Sequence, residues 1–326
     1  MSHSEHQNLH AINLTVAIPT YNGATRLPFV IEQLRLQSNA EFINWEILIV
    51  DNNSSDETAE VIREYQSQWS QPFALRYICE TQQGAAFARI RAIKEAKGEW
   101  VGFLDDDTVP AVNWVAAACK FSEAHPQAGA YGSQVHGDYE VEPPPDFDRI
   151  ASFFAITERG SQPHLYDPQM KMLPPSAGLV VRKEAWRANV PKNPVLSGRS
   201  NDSILNSEDL EAVLHIQNAG WEVWYNPDME IYHQIPRDRL EKEYLLYLMR
   251  STGLARHHIR MLRLKNWQKP LLFPFGLAKD TQKALFYFLK HRQKLKNNDV
   301  VASCEMEFLR SSILSPFYLW KRSSKS

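Results

Sequence analysis

The chain of 326 residues is 44% hydrophobic and 23% charged, with 13 glycines and 19 prolines. This composition is typical of a soluble globular protein and argues against the disordered, collagen-like and disulfide-rich classes. The net charge of −2 divides unevenly: residues 237–326 carry 19 basic and 7 acidic side chains (+12), whereas residues 1–236 carry 17 and 31 (−14). Such a division predicts two parts that meet different partners.

Three regions are expected: a disordered tail at 1–13, an α/β domain at 14–236 and a basic, amphipathic helical region at 237–326. The tail lacks an apolar signal core, and the three cysteines show no CxxC spacing, so a reducing cytosol is favoured over secretion. The longest apolar stretch of the C-terminal region, Leu271–Ala278, is well short of the roughly 20 residues that a spanning helix needs. We expect a cytoplasmic protein. Its basic region could also bind peripherally to the inner face of the plasma membrane.

Short apolar runs alternate with helical patterns along the first third of the chain. Strands are predicted at Leu14–Ile18, Glu46–Val50, Leu75–Cys79 and Trp100–Leu104, and helices at Thr25–Gln37, Asp56–Trp69, Gly84–Lys97 and Ala111–Ala124. Ser54 and Glu57 have the spacing of a capping box, which predicts the start of the second helix. The alternation is typical of βαβ units around a mostly parallel sheet, whose strands end at one ligand-binding edge.

The alternation of short strands and helices is interrupted after residue 142. Pro143–Pro175 is interpreted as a surface excursion and Pro191–Ser207 as a mobile loop that closes over a ligand. The other predicted elements are helices at Ile150–Thr157 and Ser207–Asn218 and strands at Leu179–Arg182, Trp221–Tyr225 and Glu230–His233. From Arg237 onward the pattern is helical and basic.

Three consecutive carboxylates, Asp105–Asp107, directly follow the predicted strand WVGFL. They repel one another, and no Lys or Arg lies in the adjoining sequence, so a divalent cation is the expected counter-charge. Asp105 and Asp107 point to the same side of an extended backbone, and their hard oxygens favour Mg²⁺ or Mn²⁺ completed by phosphate oxygens. The alternative is a solvated acidic turn that caps the helix beginning near Ala111.

Further polar residues are expected at the same edge of the sheet. Asp51 ends the second strand, where it can accept hydrogen bonds from a base or a ribose. The segment 51–62 is not an EF-hand loop, because Asp56 and Ile62 occupy the positions that need Gly and Glu. Asp209 begins a helix, so it is either a reactive group or only a cap favoured by the helix dipole. His233 ends a strand and is either a ligand or a structural histidine. The first loop contains neither GxGxxG nor a P-loop, which argues against a dinucleotide fold.

An ordered set of motifs resembles those of the family 2 nucleotide-sugar glycosyltransferases, which have the GT-A fold: IPTYN, VDNNSSD, GAAFAR, GFLDDD, the Ser-Glu-Asp at 207–209 and GWEVWYNPDMEIYH. The likeness covers residues 14–233. With HQIPR and CEMEFLRSSILSPFYLWK included, the whole chain is similar to the cyanobacterial hormogonium polysaccharide biosynthesis glycosyltransferases. The resemblance implies an α/β fold of the GT-A type, with a mostly parallel, Rossmann-like central sheet flanked by helices and a basic helical C-terminal extension.

The resemblance also implies roles for individual positions. The residues that match nucleotide-sugar-binding positions are Pro19, Thr20, Tyr21, Asp51, Arg89, Asp105 and Asp106. Asp107 and His233 match the positions that face the metal, and Asp209 matches the general base. Two positions depart from the family pattern: Ile90 replaces the Asn that often follows the arginine, and Ser207 replaces the Gly that often precedes the acidic pair.

The implied reaction is an inverting transfer in polysaccharide biosynthesis. A nucleotide-diphosphate sugar, with a UDP-sugar favoured, would donate its sugar to a hydroxyl of a saccharide or lipid-linked acceptor, with Mn²⁺ or Mg²⁺ as cofactor. Two other classes also place carboxylates on an α/β sheet. A nucleotidyltransferase needs a basic, Gly-rich loop early in the chain, and PTYNGATR fits that requirement poorly. A non-catalytic sugar-nucleotide binder would have lost the general base or a metal-binding residue, and both positions are intact here.

The basic residues of the C-terminal region accompany short apolar clusters, among them Leu245–Met249 and Ile313–Trp320. This combination suits helices that lie on an anionic bilayer. The alternative is that the same helices pack against the acidic half of the chain, and both interpretations can hold for different faces. Nucleic acid is not expected as a partner, because no reading motif accompanies the basic residues.

Overall fold

The computed structural model describes residues 12–170, 172–198 and 203–323, so almost all of the predicted N-terminal tail lies outside the described residues. The strands are β1 (Leu14–Thr20), β2 (Trp45–Asp51), β3 (Ala74–Cys79), β4 (Trp100–Phe103), β5 (Thr108–Pro110), β6 (Ala128–Tyr139), β7 (His164–Leu165), β8 (Leu179–Arg182) and β9 (Glu222–Ile235). The helices are α1 (Leu27–Arg35), α2 (Thr58–Ser67), α3 (Ala85–Glu95), α4 (Trp114–Ala124), α5 (Lys183–Asn189), α6 (Glu208–Asn218), α7 (Lys242–Leu262), α8 (Gln268–Lys296) and α9 (Val300–Ser323).

All the strands belong to one sheet in the order β3-β2-β1-β4-β8-β6-β9-β5, with β7 paired to β9. β3, β2, β1 and β4 are parallel, so their carboxyl ends meet at one edge as predicted. The prediction of parallel strands is therefore confirmed for these four strands, and β6 and β9 are also parallel to each other. The two pairings of β8 are antiparallel, because the segment 140–178 stays at the carboxyl edge and β8 then runs back through the sheet. The short strands β5 and β7 also pair antiparallel with β9.

Apolar cores cover both faces of the sheet, as a buried parallel sheet requires. Successive residues of one strand alternate between them: Val16 and Ile18 pack on one side, whereas Ala17 packs on the other with Leu48 and Val50 of β2. All five side chains are completely buried. The helices of the βαβ units therefore flank the sheet and hold its carboxyl edge rigidly.

Several predicted elements differ from the structure. The sequence prediction misses β6, since AGAYGSQVHGDY contains scattered glycines and no regular apolar alternation. The two short strands predicted after residue 220 are one strand, β9, whose register against β6 shifts between Ser133 and Gln134. The predicted capping box is wrong: Ser54 Oγ accepts a hydrogen bond from the Asn22 N–H, and the first turn of α2 is held by Asp56, which accepts from the Thr58 N–H.

The segment 143–175 is more than a surface excursion. Its 3₁₀ turns at Phe147–Arg149 and Ala151–Phe154 replace the predicted helix and bury three apolar side chains in a core shared with α7 and α9. Gly253 of α7 lies so close to α9 that a Cβ there would be 2.6 Å from Ser311 Cβ. The C-terminal helices are thus packed on the α/β half through α7 and α9. Within the described ranges, no helix is long and apolar enough to span a bilayer.

Candidate active site

A cavity of about 1090 Å³ opens at the carboxyl edge of the sheet. It is lined by every predicted site residue except Asp51, namely Pro19, Thr20, Tyr21, Arg89, Asp105, Asp106, Asp107, Asp209 and His233. These residues come from β1, α3, the loop after β4, α6 and β9. The fold therefore brings together residues that are up to 214 positions apart in the sequence.

Each of the three consecutive carboxylates is paired with an arginine. The pairs are Arg89–Asp105 (3.1 Å), Arg26–Asp106 (2.9 Å) and Arg239–Asp107 (2.6 Å). The sequence reasoning expected only a metal ion as counter-charge, and that argument is incomplete. The arginines come from distant parts of the chain: the loop before α1, α3, and the 3₁₀ turn at Arg237–Leu240 after β9.

Asp106 fixes the loop that follows β1. Its carboxylate accepts hydrogen bonds from Thr20 Oγ1 (2.6 Å) and from Nε and Nη2 of Arg26 (3.0 and 2.9 Å). Gly23 packs against this contact, because a Cβ there would lie 2.1 Å from Thr20 Oγ1 and 2.8 Å from Asp106 Oδ2. Asp106 thus orients the loop that carries Tyr21, whose ring is exposed in the cavity.

Asp51 lies outside the cavity lining and is only 3% exposed. Its two carboxylate oxygens accept from the Ser54 N–H (2.9 Å) and the Tyr77 hydroxyl (2.7 Å). The next residue, Asn52, does line the cavity, and its side-chain oxygen accepts from the Gly84 N–H at 2.7 Å. Asn52 is a site residue that the sequence reasoning missed, although it stands beside Asp51 in VDNNSSD.

Arg89 is a buried bridge between the two acidic segments of the site. Its guanidinium donates to Glu208 Oε1 (2.7 Å), Asp105 Oδ1 (3.1 Å) and Ser176 Oγ (2.9 Å). Burial alone would lower the pKa of Arg89, but the carboxylates of Glu208, Asp105 and Asp209 outweigh it and raise the pKa. Arg89 is therefore a permanent positive charge between the two acidic segments.

Asp209 stands at the start of α6 beside this bridge. Its Oδ2 accepts from the Ser176 N–H at 2.9 Å, and its Oδ1 accepts from the Leu210 N–H at 2.8 Å. Burial and the neighbouring Glu208 carboxylate raise the pKa of Asp209 to about 6, although Arg89 opposes them. A carboxylate with a pKa near neutrality is suited to accept a proton from a substrate.

Asp107 and His233 face each other, with His233 Nε2 at 3.7 Å from Asp107 Oδ2. His233 Nδ1 lies 2.8 Å from the Phe154 carbonyl oxygen, which can only accept, so Nδ1 carries a proton. Burial alone would lower the pKa of His233, but the Asp107 carboxylate outweighs it and raises the pKa. Binding of a metal through Nε2 requires the neutral ring. A backbone partner of this kind commonly orients a metal-binding histidine. The Arg239 guanidinium now holds the cation position, at 2.6 Å from Asp107 Oδ2 and 3.4 Å from His233 Nε2.

These two side chains fit a divalent cation that takes its remaining ligands from elsewhere. In the described parts of the chain, no group of three or more His, Cys, Asp or Glu side chains is placed to hold a metal ion. Mg²⁺ is commonly held by one or two carboxylates together with substrate phosphates. Asp107 and His233 are therefore sufficient protein ligands only if a diphosphate completes the shell.

Side chains of α7 also line this cavity. They include Tyr244, Thr252, Arg256 and Arg260, and Arg263 at the C-cap of the helix lines it as well. The loop before α6 is tied to this helix, since Asn206 Nδ2 donates to Thr252 Oγ1 at 2.9 Å. The predicted boundary at residue 236 therefore runs through the wall of the site, and these arginines were missed because their partners are visible only in the fold.

The predicted loop at 191–207 includes residues 199–202, which lie outside the described residues. The preceding part is anchored on α6, since the N–H groups of Val195 and Leu196 donate to the Glu211 carboxylate at 3.1 and 2.8 Å. Ser197 is anchored on α3, because its carbonyl accepts from the Ala86 N–H at 3.2 Å. This stretch is thus held beside the site.

Residues 15–184, just over half of the chain, match the family model for Glycosyl transferase family 2. The chain belongs to this family. An uncharacterized glycosyltransferase of Rickettsia felis is 33% identical over 117 residues, which are 36% of this chain and 18% of that protein. The putative teichuronic acid biosynthesis glycosyltransferase TuaG of Bacillus subtilis is 32% identical over 94 residues, 29% of this chain and 35% of that protein.

A third relative, of Escherichia coli, is named UDP-Glc:alpha-D-GlcNAc-diphosphoundecaprenol beta-1,3-glucosyltransferase WfgD and is 31% identical over 103 residues, 32% of this chain and 36% of that protein. The alignments with these three family members thus span no more than 36% of the relatives' own length.

Solved glycosyltransferase structures superpose on nearly the whole chain and show that it has the GT-A fold. The mannosyltransferase PcManGT from Pyrobaculum calidifontis, in complex with GDP-Man and Mn²⁺, superposes with a TM-score of 0.58 at 20% identity and covers 94% of this chain and 87% of its own. S. aureus TarS 1–349 in complex with UDP-GlcNAc gives a TM-score of 0.52 at 15% identity, with coverage of 94% and 91%. At these identities the likeness defines the fold of this glycosyltransferase family 2 member.

Proposed function

We propose that this protein is a metal-dependent, inverting glycosyltransferase of polysaccharide biosynthesis that uses a nucleotide-diphosphate sugar. The observation that carries the proposal is the convergence of Asp105–Asp107 and Glu208–Asp209 on one cavity through the shared Arg89 bridge. Family membership supports the reaction class, and the named activity of the WfgD relative supports a lipid-linked acceptor.

The donor would bind across the carboxyl edge of the sheet. The loop Pro19–Tyr21, held by Asp106, and Asn52 provide surface for the nucleoside, while Asp105 lies toward the ribose and diphosphate. A UDP-sugar is favoured, and UDP-GlcNAc and GDP-Man are present in the solved relatives named above. Asp51, the last residue of β2 and the neighbour of Asn52 in the sequence, stays a prediction as a base-reading residue.

Asp107 and His233 would hold Mn²⁺ or Mg²⁺ together with diphosphate oxygens. When bound, the ion supplies positive charge that offsets the negative charge developing on the leaving nucleoside diphosphate. Arg239 must then leave Asp107, and its guanidinium is long enough to turn toward the diphosphate instead. Arg239 therefore keeps the acidic site neutralised before the donor and metal arrive.

Asp209 would act as the general base. It takes the proton from an acceptor hydroxyl as the oxygen bonds to the anomeric carbon, while the bond from that carbon to the diphosphate breaks on the opposite face. Ser176 and Arg89 hold Asp209 and Glu208 in place during this step. General-base assistance of this kind contributes about 10²–10⁴-fold to the rate.

The C-terminal helices would dock this enzyme on an anionic membrane surface. Large apolar side chains are exposed on α8 and α9 and at Trp267 directly before α8; those on the helices are Leu271, Leu272, Phe275, Leu285, Phe286, Phe288, Leu289, Leu314, Phe317 and Trp320. Exposed lysines, including Lys279, Lys283 and Lys290, alternate with them along α8. This pattern matches a helix that lies in the bilayer interface, with its charges toward anionic headgroups. The similarity of the C-terminal motifs to the hormogonium enzymes supports an exopolysaccharide as the product.

The decisive experiment is incubation of the purified protein with a panel of nucleotide sugars and Mn²⁺, with release of nucleoside diphosphate as the readout. Release with one donor, stimulated by a saccharide acceptor, supports the proposal. Release of inorganic diphosphate from nucleoside triphosphates with a sugar phosphate would point to the nucleotidyltransferase alternative. Tight donor binding with no turnover on any acceptor would point to the non-catalytic binder.

A further inference from the structure

The cavity extends beyond Asp209 along a cationic face of α7. Arg256, Arg260 and Arg263 follow Thr252 at intervals of four, four and three residues, so they lie on one face of the helix, with Arg263 at its C-cap. At about 1.5 Å per residue, they occupy the stretch from about 6 to about 16 Å beyond Thr252 along the helix axis. The loops assigned above to the donor follow β1, β2 and β4, whereas this stretch belongs to α7, so it is available to a second substrate.

Described carboxylates only partly neutralise these three arginines. Arg260 pairs with the buried Asp280 at 2.7 Å, and Arg256 lies 3.9 Å from the same carboxylate. Arg263 pairs with no carboxylate of the described residues and makes only long contacts of 3.4 Å with the carbonyl oxygens of Pro168 and Met170. Burial lowers the pKa of both Arg256 and Arg263, as expected for desolvated guanidinium groups that lack a full counter-charge. Arg256 and Arg260 thus share one carboxylate, and Arg263 has none among the described residues.

The same arginines adjoin the apolar surface of α8. Gly276 packs against Arg260, because a Cβ there would lie 2.8 Å from Arg260 Nη1. Phe275, next to Gly276, is 72% exposed, and Leu271 and Leu272 one turn earlier are 59% and 41% exposed. The cationic face of α7 therefore lies between the candidate base and an exposed apolar stripe.

We propose that Arg256, Arg260 and Arg263 form an acceptor subsite for the diphosphate of a lipid-linked saccharide, with the sugar toward Asp209 and the lipid along Leu271–Phe275. This inference rests on the proposed transferase function and specifies its acceptor class. Guanidinium groups bind phosphate oxygens in a bidentate manner, and three of them on one helix face match a diphosphate better than a single carboxylate. The order from the cavity, through the arginines, to the exposed apolar side chains of α8 matches the order of sugar, diphosphate and lipid in such an acceptor.

The test measures binding of farnesyl diphosphate to the full-length protein by isothermal titration calorimetry, with saturating UDP and Mn²⁺ occupying the donor site. Farnesol and inorganic diphosphate are titrated in parallel to separate the lipid from the anion. The variant is the double substitution Arg256→Gln with Arg263→Gln, which leaves the Arg260–Asp280 pair in place. The matched control is Arg292→Gln with Arg310→Gln, which removes two exposed charges from α8 and α9.

We expect the double variant to raise the Kd for farnesyl diphosphate at least about tenfold, since a hydrogen bond to a charged group is worth roughly 1.5–3 kcal/mol. The control pair should change it by less than about twofold, and UDP affinity should be unchanged in both. Equal weakening by the control pair, or displacement of the probe by UDP, would overturn the subsite. Binding of farnesyl diphosphate through these arginines by a chain that binds no UDP would keep the subsite and contradict the proposed function.

Discussion

Arg89 donates to Glu208 over 2.7 Å and thereby ties the middle of α3 to the start of α6. The same guanidinium reaches Asp105 at 3.1 Å, so one side chain sets the separation between the donor-side and base-side carboxylates. This relationship makes the two acidic motifs of the sequence parts of one electrostatic unit. It also explains why Arg89 is buried although it is charged, because each buried charge of the unit has a partner.

Replacing Arg89 with Gln should therefore affect both stability and the pH profile. Breaking a buried ion pair by removing one partner costs about 3–5 kcal/mol, and the melting temperature should fall accordingly. Because Arg89 lowers the pKa of Asp209, its loss should move the acid limb of the pH–rate profile to higher pH. Arg89→Lys should restore the position of the acid limb but only part of the stability. Lysine keeps the positive charge but lacks the forked guanidinium that donates to several partners at once. Arg91→Gln, at a partly exposed arginine of the same helix that pairs with Glu95, is the control. An unmoved acid limb in Arg89→Gln would contradict the bridge.

The wild-type enzyme should lose activity below about pH 6, where Asp209 takes up a proton. A protonated carboxyl cannot accept the proton of the acceptor hydroxyl, so kcat/KM should fall about tenfold for each pH unit below the pKa. The ordinary pKa of an aspartate is near 3.9, so a limb at that lower pH would show that Asp209 is not the titrating base. Initial rates from pH 4.5 to 8 at saturating metal measure this directly.

Asp209→Asn should remove the base while preserving the site. The amide keeps the shape of the side chain, but it cannot accept a proton, and turnover should fall by about 10²–10⁴-fold. Donor affinity, measured by calorimetry with the nucleotide sugar, should stay within about threefold because Asp209 lies on the acceptor side of Arg89. Glu208→Gln is the companion variant: near-normal turnover of Asp209→Asn together with an inactive Glu208→Gln would transfer the role of base to Glu208.

The parts of the fold that could be predicted from the sequence are those with strong local patterns. Runs such as EILIV and WVGFL are apolar on both faces of the sheet, so β2 and β4 were found within one residue of their observed ends. β6 could not be found, because its stability comes from pairing with β8 and β9 rather than from its own apolar content.

The candidate site also divides into residues that local patterns reveal and residues that only the fold brings together. Asp105–Asp107 and Asp209 are visible as local motifs, and the fold does place them in one cavity. Arg26 and Arg239 neutralise Asp106 and Asp107 from 80 and 132 positions away, and no local pattern marks them as partners. Long-range pairing of charges is therefore the part of the site that sequence reading could not supply.

Metal dependence should reside in Asp107 and His233. Activity should be lost in excess chelator and return with Mn²⁺ or Mg²⁺, and Asp107→Asn should abolish this return because it removes the charged ligand. Arg239→Gln, by contrast, should lower the concentration of Mn²⁺ needed for half-maximal activity, because the guanidinium no longer competes for Asp107 Oδ2. Full activity of the wild-type enzyme in excess chelator would rule out a metal-dependent mechanism and leave Arg239 as the cation of the site.

Membrane docking should depend on the exposed face of α8 and on salt. The full-length protein should co-sediment with vesicles containing phosphatidylglycerol at low salt and much less with neutral vesicles, since each basic residue near an anionic surface adds about 1 kcal/mol. Replacing Lys279 and Lys283 with Gln should therefore weaken binding about fivefold per charge, and 0.5 M salt should weaken it further. Phe275→Ser should reduce binding through lost apolar contact, whereas Phe42→Ser, which changes an even more exposed side chain on the α/β half, should not. If the two serine variants sediment alike, or if the wild-type protein stays in the supernatant with anionic vesicles, α8 does not contact the bilayer and its exposed side chains need another explanation.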